Sequence, residues 1–456
     1  MDNSKPVMTQ SAVSFWQYQQ KEAPQSEPLK EDVEVDVAII GGGFTGLSAA
    51  REIRKDEPSH RVTVLEANMV GYGASGRNGG FNMSLFGLEP EVTLVRWGKQ
   101  KTIDAQHYMI KAVDYVRNLV DAYDLPSDYE HPGMVRVAYS DRQRHRLEDS
   151  LELFEKLGLR QHYQFKNARE IQESIHSPRF QAGLFEQNSG ILNPYKHVRA
   201  LKKLAQSVGA NVYENTPVTH ITRHKDKITL FTPQGSIRCD KLIIAVNAWA
   251  SQIRGLPRIR SRQAPVWTAQ VVTAPLSEQQ WQDIGWSERE SIEDNRQLLH
   301  YFRRTVCGRF TMGGGAIAFP QNNALGQMET QNIWDNLETH IQWLFPQLKG
   351  IAIDYRWGGP VSINMDMTPE IGFIGDERII YATGCMGHGV SLTQLNGRTI
   401  ADLVLEKKTE LTDFWIINRK AIPWPPGLLG QAIAHTIAGG LKLWDKFEER
   451  SLKRHL

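Results

Sequence analysis

A near-continuous apolar run from Asp36 to Ile40 breaks into Gly41-Gly42-Gly43-Phe44-Thr45-Gly46 and continues as Leu47 to Lys55. No other stretch restricts the fold as much. A run this apolar reads as a parallel strand covered on both faces. Gly41 and Gly43 permit a sharp turn and close backbone approach, Gly46 lets the next helix lie against the strand, and LSAAREIRK carries that helix. RVTVLEA, from Arg61 to Ala67, alternates into a second strand ending on Glu66, at roughly the 20-residue spacing at which an acid meets a ribose hydroxyl pair. Strand, turn, helix and terminal acid together specify a dinucleotide site with its pyrophosphate at the helix N-terminus. Its expected contacts are Gly41, Gly43, Phe44, Thr45, Gly46, Glu66 and Ala67.

NAD and FAD share that fingerprint, and the next segment separates them. ANMVGYGASGRNGGF, Ala67 to Phe81, carries five glycines, more than packing alone requires. A nicotinamide enzyme normally continues into another crossover helix, whereas a glycine-rich excursion lets backbone amides approach a pyrophosphate and a flavin ring. Gly73, Ala74, Ser75, Arg77, Asn78, Gly79 and Gly80 are therefore expected flavin contacts. Near the other end, Gly384-Cys385-Met386-Gly387-His388-Gly389-Val390 follows the strand IIYA and opens a helix. A helix N-terminus with glycine-bared amides stabilises the negative charge of a reduced flavin. Gly384, Gly387, His388, Gly389 and Val390 are expected along the pyrimidine side of the ring.

The 456 residues exceed one compact core, and 41% apolar composition is enough to bury two. Lys and Arg total 53 against 51 Asp and Glu, a net charge of +2 that argues against a nucleic-acid partner. Cys239, Cys307 and Cys385 lie far apart without a CxxC pair, which suggests neither a disulfide framework nor a metal site and fits a reducing cytoplasm. The first twenty residues lack the basic start and apolar core of a secretory signal. No uninterrupted apolar stretch of about 18 residues is present, so membrane contact is at most peripheral. The tail from Trp424 is read as a docked helix, with a membrane-surface or partner helix as the alternative.

GGGFTGLSAA, LEA and GASGRNGG resemble the D-amino-acid-oxidase-like family of FAD amine oxidoreductases. GILNPYKHVRAL, ENTPVTHI, LIIAVNAWA and YATGCMGHGVSLTQLNGRTIADLV follow in the family's order across nearly the whole chain. The wording GASGRNGG and the FWQ lead-in at Phe15 and Trp16 are most similar to the γ-glutamylputrescine oxidase-like members. The resemblance implies a Rossmann-like α/β domain for FAD, discontinuous in sequence, and an α+β substrate domain on an antiparallel sheet. The expected boundaries are 33–91, 187–261 and 351–410 for the first, 92–186 and 262–350 for the second, and 411–456 for a helical tail. It implies an adenine contact at Val218 and a cofactor approach at Asn247. It also implies FAD held without a covalent bond, because neither the loop before Phe81 nor the segment before VSINMDMTPE offers the histidine or cysteine that attaches flavin in some relatives.

Flavin amine oxidation needs a neutral substrate nitrogen and a C–H bond placed at the ring, so positioning dominates. In QLLHYFRRTVCGRFTMGGG, a hairpin would put Leu299, Tyr301 and Arg303 on one face and His300, Phe302 and Arg304 on the other. Tyr301 is the expected pocket wall and Arg303 the expected clamp for an anionic group on the substrate. His388 is a candidate for a direct proton role, and Trp267 and Arg356 are further pocket candidates. The expected reaction oxidises a primary or secondary amine, one bearing a carboxylate or phosphonate, with O2 as acceptor. A dehydrogenase feeding a quinone or carrier protein is the alternative, and a non-catalytic flavoprotein a remote one.

Overall fold

The computed structural model describes residues 8–9, 13–20, 25–87, 89–320, 325 and 331–452. Two sheets organise them. In the first, Val33–Ile40 lies between the parallel strands Val62–Leu65 and Ser236–Ile244. Asn211–Tyr213 extends the parallel set, as does Ile379–Thr383 beside the end of Ser236–Ile244. Alternate residues of the central strand enter different cores: Val37 and Ile39 meet the helices, while Ala38 and Ile40 pack with Leu65 and Leu242 on the opposite face. The apolar run in the sequence thus reflects burial on both sides. Helix Phe44–Asp56 crosses helix Gly389–Val404 so closely that a Cβ on Gly397 would lie 2.5 Å from that of Ser48.

The second sheet has nine strands, in the order Met8–Thr9, Ile353–Ile363, Ala264–Thr273, Phe310–Gly314, His300–Arg304, Ser291–Asp294, Met134–Ala138, Ala182–Glu186, Tyr163–Asn167. Neighbours are antiparallel except at Met8–Thr9 and between Ser291–Asp294 and Met134–Ala138. Val135, Val137, Ile292, Phe302 and Met312 point into a core with Trp286, Phe345 and helix Gln331–Leu344. Period-two alternation sends their neighbours the other way, towards the nucleotide domain.

Two stretches depart from the expected boundaries. Ile353–Ile363, placed by sequence with the nucleotide domain at 351–410, pairs along Ala264–Thr273 and belongs to the second sheet. Helix Lys99–Tyr123, placed at 92–186 because of its charged texture, buries Ala105, Met109, Ala112 and Val116 in the core that holds Leu47 and Leu395. Its apolar stripe matches a face of the other domain, and the charges lie on its far side.

The tail docks as helix Gly427–Leu452. The Asp445 carboxylate accepts from the Gln297 and Leu298 amides at 2.9 Å, and Glu448 pairs with Arg146. Its terminal Lys453 and Arg454 lie outside the described residues. Among the described helices, none is long and apolar enough to cross a membrane.

Candidate active site

The turn after Val33–Ile40 opens into a cavity of about 850 Å³ between the first sheet and the strand ends. Gly41 has φ +109°, and a Cβ there would strike the Ala245 carbonyl, so this position requires glycine. A Cβ on Gly46 would strike the Gly41 carbonyl, which fixes how closely the helix starts against the turn. Gly43 precedes the helix without a side-chain cap of its own, and the Phe44 amide instead donates to Ser75 Oγ at 3.0 Å. The glycine-rich loop is thereby tied to the helix N-terminus, and Gly43, Phe44 and Thr45 line the cavity. Glu66 Oε2 accepts from the Gly42 amide at 2.8 Å and Oε1 from the Asn68 amide at 3.0 Å. These bonds orient the carboxylate at the cavity wall, while burial raises its pKa above the usual carboxylate value.

Twelve of the expected contacts line this cavity: Gly41, Gly43, Phe44, Thr45, Glu66, Ala67, Gly73, Ala74, Ser75, Val218, Asn247 and Gly384. Asn247 adopts φ +46°, and its Oδ1 is buried without a partner. The cavity fits a dinucleotide: its lining brings together the acid Glu66, the N-terminus of helix Phe44–Asp56, the unsatisfied amide oxygen of Asn247 and the glycine turn at Gly384. Sequence reasoning missed Trp249, Pro360, Cys385, Thr393 and Asn396, which also line it. Thr393 and Asn396 lie three apart on the helix after the glycine turn, a spacing visible in the sequence.

Other expected contacts stand outside the cavity for identifiable reasons. Arg77 is buried and donates to the Tyr72 and Gly358 carbonyls, so it ties the loop to the second sheet rather than offering its charge to the cofactor. Asn78 caps its own loop through Ala74, Ser75 and Gly80. A Cβ on Gly79 would sit 3.0 Å from the Tyr301 ring, so the glycine makes room for that ring. A Cβ on Gly80 would strike the Leu192 carbonyl. Val390 is a core residue, Gly389 begins the last helix of this domain, and Gly387 takes φ +93° in the turn before it. His388 is the N-cap residue of that helix; it is buried with no partner for Nδ1, and desolvation holds its pKa down at about 4. It is therefore a neutral imidazole near neutral pH, behind the cavity wall.

The hairpin forms as expected, His300–Arg304 against Phe310–Gly314, with Phe302 in the core and Tyr301 on the opposite face. Tyr301 meets the Phe81 ring edge-on at 5.7 Å and packs with Met83, Leu85 and Met134. Burial keeps its hydroxyl protonated. Arg303 is corrected by the structure. Its Nε donates to the Gly79 carbonyl and Nη2 to the Leu192 carbonyl, both at 2.7 Å, and the guanidinium lies over the Trp16 ring. It holds the loop from behind and presents no fork to a substrate. Arg356 is paired with Glu338, and Trp267 is buried within the second sheet.

On the far side of the hairpin, one ligand atom each of Asp294, His300 and His340 lies within 4.8 Å of the others. His300 Nδ1 is 2.9 Å from Asp294, and the two imidazoles stack at 4.0 Å and 20°. Lone pairs in parallel ring planes do not converge on one ion, so the arrangement reads as a packing knot.

Comparison with known proteins agrees with this geometry. Residues 36–403 match the family model of FAD dependent oxidoreductases designated DAO. The chain is 30% identical over 423 residues to the gamma-glutamylputrescine oxidoreductase of Escherichia coli, covering 92% of this chain and 95% of that one. It is 23% identical over 409 residues to the glycine oxidase of Bacillus subtilis, covering 84% and 97%. Among solved structures, the L-proline dehydrogenase from P. horikoshii superposes with a TM-score of 0.71 at 22% identity, covering 85% of this chain and 97% of that one. The glycine oxidase from Geobacillus kaustophilus has a TM-score of 0.71 at 20% identity, covering 85% and 100%. The chain belongs to the DAO family of FAD-dependent oxidoreductases, enzymes that act on amine or amino-acid CH–NH donors.

Proposed function

We propose that this protein oxidises a primary or secondary amine to an imine, which water hydrolyses to an aldehyde and ammonia or a smaller amine, and that O2 is reduced to H2O2. The observation that carries this reading is the dinucleotide cavity beside an apolar cluster of Phe81, Met83, Leu85, Met134 and Tyr301, packed where the glycine-rich loop meets the second sheet. Bound FAD supplies a two-electron acceptor. Glu66 and the amides of Gly43 and Thr45 would hold its ribose and pyrophosphate, and the turn at Gly384 would meet its ring. A substrate held against this apolar cluster would be shielded from water and disfavoured as the ammonium, leaving the neutral amine whose C–H bond gives up hydride. Tyr301 orients that amine, and the domain interface confines it. A spectral screen of amines under anaerobic conditions tests the reading: bleaching near 450 nm by an amine supports it, and no bleaching across primary and secondary amines refutes it.

The similarity to a gamma-glutamylputrescine oxidoreductase supports an amine joined to an amino-acid end. A second reading, a dehydrogenase delivering electrons to a quinone or carrier protein, draws on the outward stripe Leu429, Ile437, Leu443, Trp444 and Phe447 of the last helix. Stopped-flow reoxidation in air divides the two: seconds or faster indicates an oxidase, and minutes a dehydrogenase.

A further inference from the structure

The second sheet places three polar side chains in one lateral row facing the nucleotide domain. Glu293 is the register partner of Tyr301 on one side and of Arg136 on the other. Side chains opposed in this way share a face and lie close enough to meet one ligand, the strands being about 4.8 Å apart. Their sequence neighbours Val135, Val137, Ile292 and Phe302 enter the helix-covered core, which fixes the row on the opposite side.

Arg136 and Glu293 are 6% and 5% exposed. Although adjacent on neighbouring strands, they form no ion pair with each other. Arg136 spends Nη1 on Glu89 at 2.6 Å, and its Nε is buried without a partner. Among the described residues, the Glu293 carboxylate has neither a hydrogen bond nor an ion pair. The nearby Glu186 differs, since both of its oxygens accept from Ser84 and Ser189. Burial pushes the Glu293 carboxyl up to about 8, with Arg136 offsetting only part of the cost. Near neutral pH Glu293 therefore keeps its proton, while Arg136 keeps Nε without an acceptor; a ligand that brings a cation to Glu293 and an acceptor to Arg136 meets both, the cation favouring loss of the carboxyl proton.

We propose that Arg136 and Glu293 form a subsite for a zwitterionic α-amino-acid head group on the substrate, its carboxylate towards Arg136 and its ammonium towards Glu293, with the reacting amine at the other end of the molecule past Tyr301. An α-amino acid carries an anion and a cation on one carbon, which matches an arginine and a carboxyl on neighbouring strands; a plain diamine offers no acceptor to Arg136 Nε, since Glu89 engages only Nη1, and a simple anionic amine offers no second cation to Glu293. The proposal rests on the amine-oxidation reading and replaces Arg303 as the anion-recognising residue.

The test uses FAD-loaded protein and three probes: L-glutamine, glutaramic acid, which lacks the α-amine, and 4-aminobutanamide, which lacks the carboxylate. Binding is read from perturbation of the flavin absorption. L-glutamine is expected to bind about tenfold or more tightly than either analogue, as for one charge-assisted contact. In Glu293→Gln, which keeps the shape of the side chain, its affinity is expected to fall to that of glutaramic acid. Equal affinities in the wild type, or a preference for L-glutamine that survives in Glu293→Gln, overturns the subsite. Anaerobic bleaching by L-glutamine also overturns it, because the α-amine would then be the reacting group. If no amine bleaches the flavin yet the binding preference holds, the oxidation reading fails and the subsite stands.

Discussion

At the scale of single residues, Glu66 and Arg303 carry opposite lessons. Glu66 was legible because its position at the end of the second strand is set by the strand–turn–helix unit, and the structure holds it there with two backbone amides. Glu66→Ala is expected to purify largely colourless, since a charge-assisted hydrogen bond contributes on the order of 1.5–3 kcal/mol; full colour after dialysis would refute the assignment. Arg303 was assigned to the correct face of its strand, but period-two alternation does not say what the opposing loop offers that face. The loop offers two carbonyls. Arg303→Lys keeps the charge and loses one of the two bonds, so it is expected to lower the unfolding midpoint and the flavin content. It should leave the kcat/KM ratio between an anionic amine and its neutral amide unchanged, and a fall in that ratio would restore Arg303 as the clamp. Cys385 reaches the cavity, but desolvation raises its thiol pKa and so disfavours the thiolate that an attachment would need. Acid precipitation is therefore expected to release all flavin, with no fluorescence on the denatured band.

At the scale of elements, the short lead-in Phe15–Tyr18 does more than its length suggests. Ser14 Oγ donates to the Gly76 carbonyl at 2.7 Å, and Trp16 Nε1 to the Asn78 carbonyl at 2.9 Å. Arg303 lies against the same indole and bonds Gly79. The glycine-rich loop is thus clamped from outside by groups that precede it and follow it by many residues. Such a contact is invisible to local pattern, although the FWQ wording resembled that of relatives. Trp16→Leu removes the indole donor and loosens this brace, and it is expected to weaken FAD binding about tenfold, the value of one partly buried hydrogen bond. Fluorescence titration of the apoprotein measures this, together with the rate of proteolysis within residues 71–80. An unchanged affinity and an unchanged cleavage rate would show that the loop holds its shape alone. Helix Lys99–Tyr123 was misassigned for a related reason: its 3.6-residue stripe announced a buried face without naming the domain that buries it.

At the scale of the whole molecule, buried titratable groups couple stability to pH in two opposing directions. His197 sits wholly inside the nucleotide domain, between Ser127 at 2.8 Å and Gln394 at 3.0 Å, and desolvation depresses its pKa to about 4. Its folded pKa is below the unfolded value, so its contribution is complete above about pH 6.5 and is lost as pH falls from there towards 4. The loss amounts to about 1.4 kcal/mol at pH 5.5. His388 behaves alike, with the same cause. Glu66, Glu186 and Glu293 are raised by burial and act in reverse, since the folded chain keeps a proton that the unfolded chain releases, which adds stability as pH falls. The net slope for the wild type mixes both sets, so the histidine part must be read as a difference. His197→Gln is expected to lower stability at pH 7.5, because one amide cannot span both Ser127 and Gln394. Between pH 7.5 and 5.5, however, it should lose about 1.4 kcal/mol less than the wild type, because the variant has no imidazole to protonate on unfolding. Denaturant midpoints of the two apoproteins at the two pH values measure that difference. Parallel shifts in both proteins would show that His197 already titrates in the folded state.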